Sequence, residues 1–386
     1  MSKYKGIRVL IIEGYARQCL PLIRAFKQAG CHVSVLCNSK MDVAYASRKP
    51  DKKILGVCDR ERVSETEEQI RELLKTKNFD VVVPCVDFSA SILSKNKEEF
   101  SQYARVASND WEVYQIAADK EKTMAVCMEN DIPAPITLLE VHSLADVENS
   151  DIQFPMIIKP KTGYGAIGFK KLNSMEELKD VFEGKEDTMC HYVFQEYIPQ
   201  TMLQYECAMF VDQNNEVKTG VVFSKNRWFP VDGGSSTLNI TVERPDIVES
   251  CKQLLQKINW RGAADIDLID DPRDGVAKIM EINPRVSGSV KIVFEAGVDQ
   301  AKQMLELVHG DPVSEQKEYR IGQRLRCSQT DLLWFLKSPN RFKSKPSWFS
   351  IKKTKDQIFY LDDPLPWFAF SLTGVFKYKK EMKKRQ

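Results

Sequence analysis

The sequence predicts an α/β domain at the N-terminus, α+β structure after it, and a basic, aromatic C-terminal extension. Three observations predict this. Apolar runs alternate with helical periodicity over roughly the first hundred residues. Strand candidates then crowd together with few helices between them. From Asp311 the periodicity fades while lysines and aromatics accumulate.

Ile7–Ile12 is continuously apolar and ends at Glu13-Gly14, as a buried parallel strand does. Ala16–Ala29 sets Leu20, Ile23 and Phe26 at helical spacing before the stop signal Gly30. His32–Cys37, Asp80–Val86 and the shorter Arg105–Ala107 read as strands, with helices around Glu65–Lys75 and Ser89–Phe100. One long helix is expected over Trp111–Asn130, ended by the turn Asp131-Ile132-Pro133. Met156–Lys159, His191–Glu196, Tyr205–Val211 and Val217–Phe223 are the next strands, the last two joined by the turn residues Asp212–Asn215. Gly262–Ile269 and Val276–Ile282 form a strand pair across Asp270–Gly275, and a helix Gln300–Val308 ends at Gly310.

Composition narrows the function. The 386 residues suffice for two or three domains, and 43% hydrophobic content is ordinary for a globular chain. A net charge of +2 implies no nucleic-acid partner. Ten scattered cysteines without a C-x-x-C pair suit free thiols in a reducing cytoplasm. Met1–Gly6 runs straight into the first strand, so no signal peptide is expected, and no apolar run reaches the ~20 residues of a membrane span.

Glu13-Gly14-Tyr15-Ala16-Arg17 has one glycine where a dinucleotide fingerprint needs three, which excludes that mode of NAD binding. The glycine-rich loop is Lys161–Phe169, with Gly163, Gly165 and Gly168 after the apolar strand that ends Ile158-Lys159-Pro160. Glycines with a nearby hydroxyl let backbone N–H groups lie on phosphate oxygens, and a lysine closing an apolar strand needs an anionic partner. A plain hairpin turn is the alternative. Glu281 and Asn283 are two apart and share a strand face; with a carboxylate from the neighbouring strand they make the hard-oxygen, few-ligand set that Mg²⁺ takes with bridging phosphates. Periodicity leaves open whether Asp265 or Asp267 supplies that carboxylate, and a solvated polar face is the alternative. Arg285 adds a cation beside the set, suited to a transferring phosphoryl group. Glu196 ends a strand whose backbone could read an adenine edge, and Glu206 could accept ribose hydroxyls. Four histidines without zinc spacing, and no Cys–His or Ser–His–Asp set, speak against zinc and covalent catalysis. Asp87-Phe88-Ser89 sits at a strand's C-terminal end, where open α/β sheets bind ligands; helix capping by Asp87 or Ser89 is the competing role.

In order along the chain, Lys120 in Ala-Ala-Asp-Lys-Glu-Lys-Thr, Ile157-Ile158-Lys159-Pro160 with its loop, Gln195-Glu196-Tyr197-Ile198, Tyr205-Glu206-Cys207, Asp265-Ile266-Asp267-Leu268 and Met280-Glu281-Ile282-Asn283-Pro284-Arg285 resemble the ATP-grasp superfamily over roughly residues 5–310. The run Asn283–Ser289 looks most like the carbamoyl phosphate synthetase branch and its short single-unit relatives. The resemblance implies a Rossmann-like pre-ATP-grasp domain at 1–110, ATP-grasp subdomains at 111–190 and 191–310, and an extension at 311–386. It implies ATP and Mg²⁺ as cofactors, with Lys120 and Lys159 on phosphates and 163–168 as lid. Glu196 and the Ile198 backbone would line adenine, and Glu206 the ribose. Asp267, Glu281 and Asn283 would hold the metal, and Arg285 the acyl-phosphate transition state. The implied activity is a carboxylate–amine ligase acting on small molecules, with an ATP-dependent carboxylase or phosphotransferase, or a non-catalytic nucleotide-binding scaffold, as alternatives. A homodimer is left open. Two departures stand out: Leu203 occupies a usual ribose-glutamate position, with Pro199–Tyr205 longer than usual, and a single unit cannot be a complete carbamoyl phosphate synthetase.

The resemblance does not extend over the tail. Its aromatics (Trp334, Phe335, Phe342, Trp348, Phe349, Trp367, Phe368, Phe370 and Phe376) precede a basic run, Lys377–Arg385. This composition suits a peripheral helix on an anionic membrane. Pro364, Pro366 and the shortness of Trp367–Phe376 favour packing on the core instead.

Overall fold

The computed structural model describes residues 3–163, 167–231 and 234–374. Gly165 of the loop and the basic run from Lys377 onward therefore lie outside the described residues.

The first sheet holds β1 (Arg8–Ile11), β2 (His32–Cys37), β3 (Lys52–Leu55), β4 (Val81–Val83) and β5 (Arg105–Val106), all parallel, in the order β3-β2-β1-β4-β5. Its central strands are apolar on both faces because helices cover both, so Val9, Leu10, Ile11, Val81, Val82 and Val83 are all buried. The chain runs from β1 outward to β3 and then returns to β4 beside β1. The switch of direction opens a crevice at the C-terminal ends of β1 and β4, where ligands of such sheets bind.

Trp111–Asn130, expected as one helix, is two: Trp111–Ala118 and Lys120–Glu129. Asp119 leaves helical geometry, and its carboxylate caps the second helix by accepting the N–H of Glu121 at 2.9 Å. A new helix therefore starts at Lys120, whose direction is set by the cap.

The second sheet holds β6 (Thr137–Leu138), β7 (Met156–Pro160), β8 (Lys170–Leu172) and β9 (Tyr192–Glu196), in the order β6-β9-β7-β8. β7 and β8 pair antiparallel, so the glycine-rich loop caps a hairpin. The third sheet is the largest. It holds β10 (Gln204–Val211), β11 (Val217–Phe229), β12 (Ser235–Thr241), β13 (Gly262–Asp270), β14 (Ala277–Asn283), β15 (Arg324–Arg326) and β16 (Thr354–Asp356), in the order β14-β13-β10-β11-β12-β15-β16.

Two of those strands come from the stretch after Asp311, where no periodicity was legible. They are three residues each, too short to print an alternation. The helix Ser328–Lys337 is locked to β11 by a buried fork: Arg227 gives Nε and Nη2 to the Asp331 carboxylate at 2.8 and 2.9 Å. The extension thus builds into the fold. All ten cysteines are free, nine of them buried. Among the described residues no helix is long and apolar enough to cross a membrane.

Candidate active site

The third sheet carries a row of acids across three adjacent strands. Glu206 of β10 lies opposite Asp267 of β13, and Asp267 opposite Glu281 of β14. Opposed residues of antiparallel strands share a face, so the three carboxylates point the same way. One step along, Asp265 lies opposite Asn283. These five side chains line a cleft of about 370 Å³, with Lys120, Lys159, Lys225, Arg285, Arg17 and the loop residues Gly163 and Ile167.

Each acid has a cation. Lys120 Nζ is 3.3 Å from Glu281 Oε2 and donates to the Gly163 carbonyl at 3.2 Å, which ties the new helix start to the loop. Lys225 Nζ bonds Asp267 Oδ1 and lies 3.3 Å from Glu206 Oε1. Arg285 gives Nη1 to Asp265 at 2.9 Å and Nη2 to the Asn283 amide oxygen at 2.8 Å. The Asn283 amide donates to Asp267 Oδ2 at 3.2 Å. Asp267 thus stands with Glu281 and Asn283, and Asp265 with Arg285, both aspartates lining the cleft.

Burial shifts several of these groups. It would push Asp267 up, but Lys225 and Asn283 overcome it and hold the carboxyl below its usual value. Asp265, buried beside Glu206, is driven well up despite Arg285. Lys225 is raised because its two acids outweigh its own desolvation. Lys159, buried and, among the described residues, donating only to the Met280 carbonyl at 3.3 Å, is brought down by desolvation to about 8, with Glu281 opposing. A buried ammonium without a carboxylate of its own is a group awaiting an anion.

Asp267, Glu281 and Asn283 are a hard-oxygen set of the kind Mg²⁺ accepts, and lysine ammoniums already balance both carboxylates where a cation would act. The residues therefore fit a divalent ion with few protein ligands. Among the described residues no three His, Cys, Asp or Glu groups could hold a metal by themselves, so other donors would have to complete the shell.

Other expected residues are placed elsewhere. Glu196 accepts the Ile136 N–H at 2.9 Å and pairs with Arg273 at 2.6 Å. Ile198 is buried, and neither residue lines the cleft. Glu206, expected at a ribose, stands instead in the acid row and accepts the Ser287 hydroxyl at 2.9 Å. The alternation of β10 explains the difference: Gln204, two residues earlier on the same face, lines the cleft toward Ile269 and Gln200. In the loop, Gly163 and Gly168 both have positive φ, and a Cβ on Gly168 would lie 2.9 Å from Pro160 Cγ.

Sequence reasoning missed Lys225. It ended the strand at Phe223, whereas β11 runs to Phe229. Continuing the period of two from Val221 through Phe223 reaches Lys225 on the cleft face.

At the crevice of the first sheet, Asp87 does not cap its helix, nor does Ser89. Asp87 Oδ1 lies 3.3 Å from Arg285 Nε, and Ser89 donates to Glu13 at 2.5 Å. Glu13, fully buried with φ of 70°, also accepts the Val86 N–H at 2.9 Å, and burial raises it to about 7.

Residues 117–289 match a family described as the ATP-grasp domain. The chain is 26% identical to D-aspartate ligase of Enterococcus faecium over 262 residues, which is 60% of this chain and 59% of that one. It is 23% identical to the large chain of carbamoyl phosphate synthase of a Thermoanaerobacter species, over 55% of this chain and 20% of that one. It thus spans about three fifths of the first relative and a fifth of the second. In fold it is similar to the biotin carboxylase domain of Hydrogenobacter thermophilus 2-oxoglutarate carboxylase, with a TM-score of 0.66 at 16% identity over 82% of this chain and 73% of that one. Residues 117–289 are thus matched as an ATP-grasp domain, within a chain that shares its fold with that carboxylase domain.

Proposed function

We propose that the cleft binds ATP with Mg²⁺ and that the chain joins a carboxylate to an amine through an acyl phosphate. The observation that carries this reading is the acid row Glu206–Asp267–Glu281 facing Lys120, Lys159, Lys225 and Arg285 beneath a glycine-rich hairpin. Asp267, Glu281 and Asn283 would hold magnesium, which would supply positive charge to offset that of the phosphates. Lys120 and Lys159 take phosphate oxygens, and the 163–168 loop closes over them. Gln204, with Gln200, takes the ribose in place of Glu206. Arg285, clamped by Asp265 and Asn283, faces the carboxylate as it attacks the γ-phosphate, and steadies the charge that develops there. The chain's contribution is positioning and charge neutralisation.

The similarity to D-aspartate ligase supports amine acylation. The Hydrogenobacter domain, a dimer in complex with MgADP and bicarbonate, supports the nucleotide and metal, and favours a second reading in which bicarbonate is the carboxylate. A homodimer is carried in the same proposal. The domains are proposed as 1–110, 111–190 and 191–310, with 311–386 joined to the third.

The test is ADP release with Mg-ATP and pools of amino acids, sugar acids or bicarbonate. A carboxylate that stimulates release should pass ¹⁸O from its carboxyl group into the phosphate product. Release stimulated by an amine alone, without oxygen transfer, would overturn the acyl phosphate.

A further inference from the structure

Of the twenty-two large hydrophobic side chains exposed among the described residues, ten fall between Leu332 and Leu372. Single exposed apolar residues are ordinary, but such a concentration marks an interaction surface. Two helical stripes form part of it. The helix Ser328–Lys337 buries Asp331 and Trp334 and exposes Leu332 and Leu336. The helix over residues 365–374 buries Ala369 and exposes Leu365, Phe368 and Leu372, at i, i+3 and i+7. The helices touch: Gln329 donates to Ser371 Oγ at 3.0 Å, and the Trp367 indole to Ser328 Oγ at 2.8 Å. Gln329, Leu332 and Leu336 share one stripe by helical spacing, so the two apolar faces are neighbours. Phe335 meets Trp348 with tilted rings 4.5 Å apart and touches Phe342 and Phe349 edge to face, and these last two are 73% and 64% exposed.

Charge is divided in the same way. Residues 332–386 hold 13 Lys and Arg against 4 Asp and Glu, a net +9, whereas the chain as a whole carries +2. The described acids are each partnered within the fold. Asp356 accepts the N–H groups of Ser328 and Phe359, Asp362 pairs with Arg24 and Lys49, and Asp363 accepts the Ser47 hydroxyl. The cations do not: Lys337, Arg341, Lys343, Lys345, Lys352, Lys353 and Lys355 have no ion-pair partner among the described residues.

We infer that this face docks the protein on an anionic lipid bilayer. Exposed leucines and phenylalanines enter the interfacial region while unpaired lysines and arginines meet lipid phosphates, the arrangement of a peripheral amphipathic surface. A second copy of the same face is disfavoured, because it would oppose two strongly positive surfaces. The basic residues after Gly374 follow the second stripe in the sequence and carry charge of the same sign. The inference is independent of the catalytic proposal, and its readout is binding.

The experiment floats the full chain with phosphatidylcholine vesicles, with or without phosphatidylglycerol, at low and at high salt. The expected result is binding only to the anionic vesicles, falling about tenfold in high salt. The triple variant Leu365→Ser, Phe368→Ser, Leu372→Ser alters exposed side chains and should melt like the parent. Its anionic-vesicle binding should fall about tenfold. Lys343→Glu with Lys352→Glu and Lys353→Glu should do the same. Three results would overturn the inference: no binding to anionic vesicles at low salt; binding unchanged in the triple variant but lost on deleting 377–386; or a dimer in solution that the triple variant turns into a monomer.

Discussion

Arg285, just past β14, reaches Asp87 at the mouth of the first sheet, with Nε 3.3 Å from Oδ1. The same guanidinium holds Asp265 and Asn283, so one side chain couples the crevice of the α/β sheet to the acid row of the large sheet. A substrate between the two sheets would meet Arg285 from either side. Asp87→Asn should therefore lower carboxylate-dependent ADP release by about tenfold or more, the loss of one charge-assisted contact. Its thermal midpoint should hold nearly constant, because Asp87 caps nothing. A lower midpoint with unchanged kinetics would return Asp87 to a purely structural role.

Glu281 faces Asp267 across β13 and β14 and has Lys120 at 3.3 Å. Glu281→Gln keeps the shape but removes the charge that would balance magnesium. ADP formation should drop by about a hundredfold or more. Circular dichroism should be unchanged, since Glu281 is only half-buried. Near-parental turnover would remove Glu281 from the metal set.

Gly168 has φ of 77°, and a Cβ there would press on Pro160. Gly168→Ala should cost about 1–2 kcal/mol in loop conformation and raise the Michaelis constant for ATP several-fold. In the parent, Mg-ATP should slow hydrogen exchange at 159–163 and 167–169, and less so in the variant. Equal exchange with and without nucleotide in the parent would count against a closing lid.

Glu13 makes stability depend on pH. Burial raises its folded value from 4.5 to about 7. Its contribution is fully present below the unfolded value and is lost as pH rises through 7, because the unfolded chain gives up the proton first. The loss is roughly 3 kcal/mol if Glu13 acts alone. Urea melts at about pH 5 and about pH 8 should show the parent losing stability across the interval and Glu13→Gln losing less. Parallel losses in both would mean that other groups set the dependence.

Much was written in the chain itself. The apolar run at Ile7–Ile12 and the valines near 82 could only be strands covered on both faces, because no other element buries consecutive apolar residues over so short a length. Glu281 and Asn283 had to share a face because strand side chains alternate, and Gly163 and Gly168 announced a backbone that needs unusual torsions. Partners across strands were another matter. Alternation assigns faces but says nothing of which strand lies alongside, or in what register. The row Glu206–Asp267–Glu281, the choice between Asp265 and Asp267, and the place of Lys225 all depend on register, and register is decided by long-range packing. The same holds for Asp87, which looks like a helix cap until Arg285 is brought beside it from about two hundred residues away, and for β15 and β16, whose three residues each become strands because β12 offers an edge to β15 and β15 one to β16.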